Sequence, residues 1–136
     1  MKLNPLVFGV ALAIVGLTPL AAKAQQSANA CVVKASASDS PGGQITNLSR
    51  AKNLARQAAE EANGGIGVYR AEASMHGSIG QTPCTPNENG TWTFTFTGGA
   101  PGEAPTVESA VTVNPSNWEI SVDYNGPIRP SAKVSE

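Results

Sequence analysis

A helical hydrophobic pattern occupies one stretch of the chain. Between residues 45 and 63 apolar side chains recur every three or four positions, and most are alanine: Leu48, Ala51, Leu54, Ala55, Ala58 and Ala62. Thr46 or Asn47 can cap the start, and Gly64 stands where a left-handed residue ends a helix. Small side chains let a helix approach its neighbour closely. The pattern therefore predicts one helix over residues 45–63 that packs flat on a sheet.

Four later segments alternate between apolar and polar residues, as strands with one buried face do. They span residues 66–73, 91–97, 106–113 and 118–124. The second has the strictest alternation, because Trp92, Phe94 and Phe96 share one face and threonines fill the other. Residues 114–117, Asn-Pro-Ser-Asn, form a turn signal between the last two segments. These features predict an antiparallel sheet.

The apolar positions of the last two strands also predict their register. If Val113 pairs with Trp118, every large apolar side chain of both strands lies on one face, and a one-residue slip would scatter them. The same register places Glu108 opposite Asp123 on the other face. We therefore predict an α+β domain: one helix packed on a four-stranded antiparallel sheet, whose other face is in water.

The first 24 residues have the features of an export signal. Lys2 gives a positive start, residues 6–17 are uncharged and mostly apolar, and Ala22-Lys23-Ala24 offers small residues for cleavage. Pro19 breaks the apolar run, which is too short to span a bilayer comfortably. We predict a secreted or periplasmic protein. Its parts are a signal peptide (1–24), an extended segment (25–43), the α+β domain (44–126) and a flexible tail (127–136).

Charge and cysteine content narrow the class of partner. Without Lys2 and Lys23 the chain keeps seven basic and ten acidic residues, a formal net charge of −3. This charge argues against nucleic acid and, after signal cleavage, against a membrane surface as the partner, because both attract clustered Lys and Arg.

The chain has two cysteines after the signal, Cys31 and Cys84, and this even count predicts one disulfide in an oxidising compartment. Lipid attachment to Cys31 is the disfavoured alternative, since Ala28-Asn29-Ala30 lacks the expected leucine.

Residues suited to catalysis are sparse. His76 is the single histidine and falls on a loop, where a histidine is usually solvated, and a structural zinc site needs four ligands. The sequence has no G-x-S-x-G motif, and both thiols are assigned to the disulfide. We therefore expect no catalytic residue, no metal ion and no cofactor. A structure that placed His76 against Glu108 or Asp123 would reopen the question of an enzyme.

The order of elements resembles a known family. An alanine-rich helix, Gly64-Gly65, the aromatic strand at residues 92–96 and a closing hairpin built from Val111-Thr112-Val113 and Trp118-Glu119-Ile120 are similar to the PepSY-type domain of bacterial cell envelopes, within the broader cystatin-like shape. The resemblance implies a small envelope domain that binds or restrains other proteins, often proteases. It implies no catalytic residues.

The leading hypothesis is therefore a non-catalytic domain that binds a protein or peptide outside the cytoplasm. The predicted binding surfaces are the loop at residues 74–90, the sheet edges by strand addition, and the outer face of the sheet at Thr93, Thr95, Glu108, Glu119 and Asp123. One alternative is a carrier of a small ligand or a cation, with a pocket between helix and sheet or a site at Glu108 and Asp123. An enzyme is the other.

Overall fold

The computed structural model describes residues 29–130. Two α-helices come first, α1 (Ala30–Ser36) and α2 (Pro41–Ala62). Five strands follow: β1 (Arg70–Ala71), β2 (Thr85–Pro86), β3 (Trp92–Gly99), β4 (Val107–Val113) and β5 (Ile120–Pro127). Two short 3-10 helices, Ala73–Met75 and Ile79–Gln81, lie between β1 and β2.

The strands form one antiparallel sheet in the order β1-β3-β4-β5, and β2 pairs with β3 beside β1. The predicted fold class is confirmed, because helix α2 packs on one face of this antiparallel sheet and Cys31 is bonded to Cys84. Besides the two 3-10 helices, the structure adds helix α1 and the two-residue strand β2 to the prediction. Both lie where the disulfide ties the start of the described chain to the loop before β3.

The extended segment predicted at residues 25–43 is wrong where the structure describes it. Helix α1 forms there because Asn29 caps it, its Oδ1 accepting from the backbone N–H of Cys31 at 2.8 Å and of Val32 at 3.3 Å. Helix α2 then begins at Pro41, whose fixed φ suits the first helical position. The predicted caps Thr46 and Asn47 therefore lie inside α2.

The predicted end of α2 is confirmed at Gly64. This residue has φ +98°, and the backbone N–H of Gly65 donates to the carbonyl of Glu60 at 2.8 Å. The N–H of Gly64 donates to the carbonyl of Glu61 at 3.2 Å, which completes a Schellman motif. A side chain at Gly64 would need a left-handed backbone and would also meet Val68 at 2.8 Å.

The core lies between α2 and the helix-facing side of the sheet. Leu48, Ala51, Ala55 and Ala59 of α2 are buried there. They belong to one cluster with the sheet residues Trp92, Phe94, Phe96, Val111 and Val113. The three alanines allow the flat contact that the sequence predicts. Met75, from the first 3-10 helix, closes the same core.

The predicted first strand, at residues 66–73, is shortened to Arg70–Ala71. Gly65 has φ +95°, and its carbonyl accepts from the N–H groups of Val68 and Tyr69, so the chain turns here instead of extending. Ile66 and Val68 are left exposed in that turn. Tyr69 is buried, with its phenol ring over Gly98 of β3, and this contact places β1 at the sheet edge.

The predicted register of the last hairpin is wrong by two residues. Val113 pairs with Ile120, and Val111 pairs with Val122. A bulge between Ala110 and Val111 then shifts the register again, so Glu108 faces Gly126. Since a two-residue shift preserves the faces, Ile120 and Val122 still lie on the helix side of the sheet.

Trp118 explains the displaced register. The Arg50 guanidinium of α2 lies 4.0 Å from the centre of the Trp118 ring. The Trp118 N–H donates to the carbonyl of Asn114 at 2.7 Å, and Trp118 has φ +61°. Trp118 therefore belongs to the turn, and β5 begins two residues later.

Among residues 29–130 no helix is long and apolar enough to cross a membrane. The predicted signal peptide at residues 1–24 and the last six residues of the predicted tail lie outside the described residues. Within the described part of that tail, Arg129 forms an ion pair with Glu108 and stacks on Tyr124 at 3.7 Å.

Candidate functional site

Strand β5 forms one edge of the sheet. Within the described residues it pairs with β4 alone, whereas the far edge of β3 is covered near its two ends by β1 and β2. An edge strand carries backbone groups that a further strand can bond. The sheet therefore offers one long edge for addition of another chain.

The hairpin bonds indicate which backbone groups of β5 face outward. The N–H of Asn114 donates to the carbonyl of Glu119 at 2.9 Å. Bonded and non-bonded pairs alternate along an antiparallel ladder, so Thr112–Ser121 is bonded and Val113–Ile120 is not. The N–H and C=O groups of Ile120, and by the same alternation those of Val122, point away from β4 to the open edge.

An apolar strip runs beside this edge on the helix side of the sheet. We define the β5 strip as Leu54 and Ala58 of α2 together with Trp118, Ile120 and Val122. Ile120 is 38% exposed and Val122 is 42% exposed, although both project toward the helix side. Helix α2 contacts β5 as well as β4, yet these two side chains keep more than a third of their surface exposed.

Contacts at both ends hold the α2 flank against β5. At one end Arg50 covers the Trp118 ring. At the other, Asn63 and Asn125 exchange two amide hydrogen bonds of 2.9 and 3.1 Å, and the Ser109 hydroxyl donates to Asn125 Oδ1 at 2.8 Å. The helix and the strand therefore run side by side between two polar contacts, with the β5 strip between them.

The five residues predicted for the outer face have different environments. Thr93 and Thr112 share a hydroxyl hydrogen bond of 2.8 Å, and the Thr112 hydroxyl donates to Asp123. Asp123 also accepts from the Ser121 hydroxyl at 2.8 Å. Thr95 is exposed between these groups and the far end of the sheet. The structure thus brings Thr93 and Asp123 into one hydrogen-bonded network.

The other two outer-face residues lie apart from that network. Glu108 forms an ion pair with Arg129. Glu119 lies in the hairpin turn, where its carboxylate accepts from the Asn117 amide at 3.4 Å. The predicted opposition of Glu108 and Asp123 is wrong because of the shifted register and the bulge. With Glu108 paired to an arginine and Asp123 bonded to two hydroxyls, the pair no longer forms a cation site.

His76 contacts Arg56 of α2, and does not contact Glu108 or Asp123, the carboxylates whose contact with His76 would have reopened the question of an enzyme. Its Nδ1 lies 2.9 Å from Nη1 of Arg56. Arginine can only donate, so Nδ1 accepts and the ring proton lies on Nε2. Arg56 in turn lies 3.9 Å from the carboxylate of Glu60 on the same helix. The imidazole of His76 is therefore bonded to an arginine and not to a carboxylate.

Two adjoining cavities open beside His76, and both are lined by His76 and Arg70. We call them together the His76 cleft. The larger, of about 420 Å³, lies against the loop after β3 and also contains Glu72 and Glu103. The smaller, of about 370 Å³, lies along α2 at Arg56 and Glu60. Both volumes are in the usual range for small-molecule sites.

A third cavity, of about 310 Å³, lies at the opposite end of the sheet, between α1 and the β4–β5 turn. None of these three cavities is lined by the buried alanines of α2. They are surface clefts, and the predicted carrier pocket between helix and sheet does not correspond to any of them.

Lys52 is a buried charge that the sequence pattern does not indicate. Its ammonium donates to the carbonyl of Gly77 and so ties α2 to the loop that carries His76. Burial lowers the pKa of Lys52, and the Arg56 charge one turn away lowers it further. In an alanine-rich helix a lysine is normally predicted to lie on the solvent-exposed face. Only the tertiary contacts show that Lys52 is buried.

The predicted disulfide is confirmed: Cys31 and Cys84 are bonded, with an S–S distance of 2.05 Å. In residues 29–130 no three of the side chains His, Cys, Asp and Glu lie close enough together to hold a metal ion.

Comparisons of the chain with protein-family models, with curated proteins and with solved structures found no match.

Proposed function

We propose that this protein is an exported, non-catalytic domain that binds an extended segment of another protein or peptide along β5. The observation that carries the proposal is the open edge of β5, whose outward backbone groups lie beside two exposed apolar side chains, Ile120 and Val122. A bound strand would pair with those backbone groups and cover those side chains. The likeness to PepSY-type envelope domains, itself a prediction, agrees with such a role.

The chemistry of the site defines the expected ligand. Side chains of an added strand alternate between the two faces, so every second residue would lie over the β5 strip and should be apolar. Glu119 and Asp123 flank the same edge, and the predicted mature chain is acidic, so Lys or Arg suits the intervening positions. We expect binding to weaken with salt.

Export is part of the proposal. The leader at residues 1–24 predicts passage through the membrane, and the disulfide requires an oxidising compartment in most organisms. We therefore propose that the protein acts in the periplasm or outside the cell. Mass spectrometry of the protein from its native source should find an amino terminus near Gln25 and no free thiol.

A peptide-display selection tests the binding site. The disulfide-bonded protein is used to select from random peptides, and we expect enriched sequences to carry apolar residues at alternate positions. Val122→Lys should weaken binding of these peptides by at least tenfold, because it places a charge on the strip. Val33→Lys makes the same change at an exposed valine of α1 and serves as the matched control.

Two results would contradict the proposal. One is a selection that yields no peptide above background. The other is a set of peptides that bind the Val122→Lys variant as tightly as the Val33→Lys control. N-methylation of the backbone at alternate residues adds a further check, because a strand that pairs with β5 loses affinity when its donors are removed.

A further inference from the structure

The His76 cleft has the donors needed to bind a single negative charge. Arg70 lines both of its cavities, and among the described residues its guanidinium forms no ion pair. His76 also lines both cavities, and its proton lies on Nε2 because Arg56 donates to Nδ1. Arg70 and His76 thus line the same space, and a guanidinium together with an imidazole N–H suits the two oxygens of a carboxylate.

The acidic residues of the cleft limit the charge of the ligand. Glu72 and Glu103 line the larger cavity, and Glu60 lines the smaller one. Glu72 is held in place, since its carboxylate accepts from the Thr97 hydroxyl at 3.2 Å. Like charges repel, so three carboxylates disfavour a doubly charged phosphate more strongly than a singly charged group beside Arg70.

From this geometry we infer that Arg70 and His76 form a binding site for a carboxylate, either of a free amino acid or of the carboxyl terminus of a peptide. This site lies at the β1 side of the sheet, across from β5, and goes beyond the proposed function. Arg56 acts as a positioning residue, because it fixes the ring and the tautomer of His76. Gly98, Gly99 and Ala100 also line the larger cavity, whose volume of about 420 Å³ leaves room for the rest of the ligand.

An NMR titration of the disulfide-bonded protein tests this site with four probes: L-alanine, N-acetyl-L-alanine, L-alaninamide and inorganic phosphate. We expect at least one of the two carboxylates to shift the amide signals of residues 70–77 and 98–103. The other two probes should bind more weakly, since alaninamide lacks the carboxylate and phosphate carries a second charge. Binding of alanine alone identifies a free amino acid as the ligand, and binding of the acetylated form identifies a peptide terminus.

Variants separate this site from general surface attraction. Arg70→Gln should weaken carboxylate binding by about tenfold or more, the usual loss for a hydrogen bond to a charged group. Arg129→Gln removes a guanidinium from the outer face and should leave the affinity unchanged. Arg56→Gln should weaken binding less than Arg70→Gln, and should also shift the tautomer-sensitive nitrogen signals of His76.

Four results would overturn the inference. They are the absence of binding by both carboxylates, equal binding of alaninamide, equal or tighter binding of phosphate, and an unchanged affinity of Arg70→Gln. None of them bears on β5, which is tested with its own peptides and its own variant.

Discussion

Gly98 is the position where a single methyl group should do most damage to the fold. It lies in β3, opposite Val107, and the Tyr69 ring occupies the space that a side chain would need. A Cβ atom placed there would lie 2.7 Å from Cε2 of Tyr69 and closer still to Cζ and the hydroxyl oxygen. Tyr69 is 2% exposed, so its ring has little freedom to move aside.

We expect Gly98→Ala to destabilise the protein by about 2–3 kcal/mol, the upper part of the range for overpacking a filled core. For a domain of this size, that loss lowers Tm by roughly 10–20 °C. Thermal unfolding followed by circular dichroism, with the disulfide intact, measures the shift. Gly80→Ala is the control, because a Cβ atom there meets nothing within 4 Å, and its Tm should stay near that of the natural chain.

A double-mutant cycle identifies the cause of the loss. Tyr69→Ala removes the ring, so Gly98→Ala should add much less destabilisation in that background than in the natural chain. Additive effects of the two changes would refute the contact between Tyr69 and Gly98. So would a Gly98→Ala variant as stable as the Gly80→Ala control.

Three further predictions concern ionisation and the α1 cap. Burial raises the pKa of Tyr69 above 10.0; the nearby Ser109 hydroxyl opposes this rise, and the charges of Glu60 and Glu72 add to it. In Tyr124→Phe, Tyr69 is the remaining tyrosine, so tyrosinate absorbance should appear only at a pH above that of a free tyrosine. A normal titration would contradict this. The pKa of Lys52 is lowered from 10.5 in the folded protein, so at pH values between the folded and unfolded pKa the unfolded chain binds more protons than the folded one. Over that pH range, the free energy of unfolding should rise with pH. Denaturant titrations of Tyr69→Phe, which lacks the opposing phenol, should show that slope, and adding Lys52→Met should remove it; an unchanged slope would exclude Lys52 as its source. Asn29→Ala should lower the free energy of unfolding by about 1–3 kcal/mol, because the Asn29 side chain caps α1 and its amide donates to the carbonyls of Ile79 and Thr82. Asn53→Ala, on the exposed face of α2, should change the free energy of unfolding little. Equal losses in the two variants would contradict the role of Asn29.

The sequence is most informative where structure depends on near neighbours. The end of α2 at Gly64 and the alternation of Trp92, Phe94 and Phe96 are local patterns, and both are confirmed. The disulfide follows from the number of cysteines alone. The fold class then follows, because an alanine-faced helix and alternating strands have few ways to bury their apolar sides.

The errors arise where distant contacts decide the outcome. Helix α1 is too short to form from its own residues, and it depends on bonds from Asn29 to a loop some fifty residues later. The hairpin register depends on Arg50, which takes the Trp118 ring away from β5. No periodicity within the hairpin carries that information.

The candidate sites show the same division. Ile120 and Val122 are correctly predicted to share the helix-facing side, but their exposure depends on tertiary packing that the strand pattern does not encode. The partnership of Arg70 with His76 requires the turn at Gly65 and the loop that Lys52 holds. The predicted pair of opposed carboxylates on the outer face failed because the strand pairing is displaced by two residues and a bulge inserts Asp123 into β5.

Amide hydrogen exchange of β5 tests the central claim most directly. In the free protein the N–H groups of Ile120 and Val122 should exchange quickly, since they face the open edge, while that of Ser121 is protected by its pairing with Thr112. On saturation with a selected peptide, Ile120 and Val122 should become protected and Ser121 should change little. Peptide binding that leaves the exchange of Ile120 and Val122 unaltered would contradict strand addition at β5.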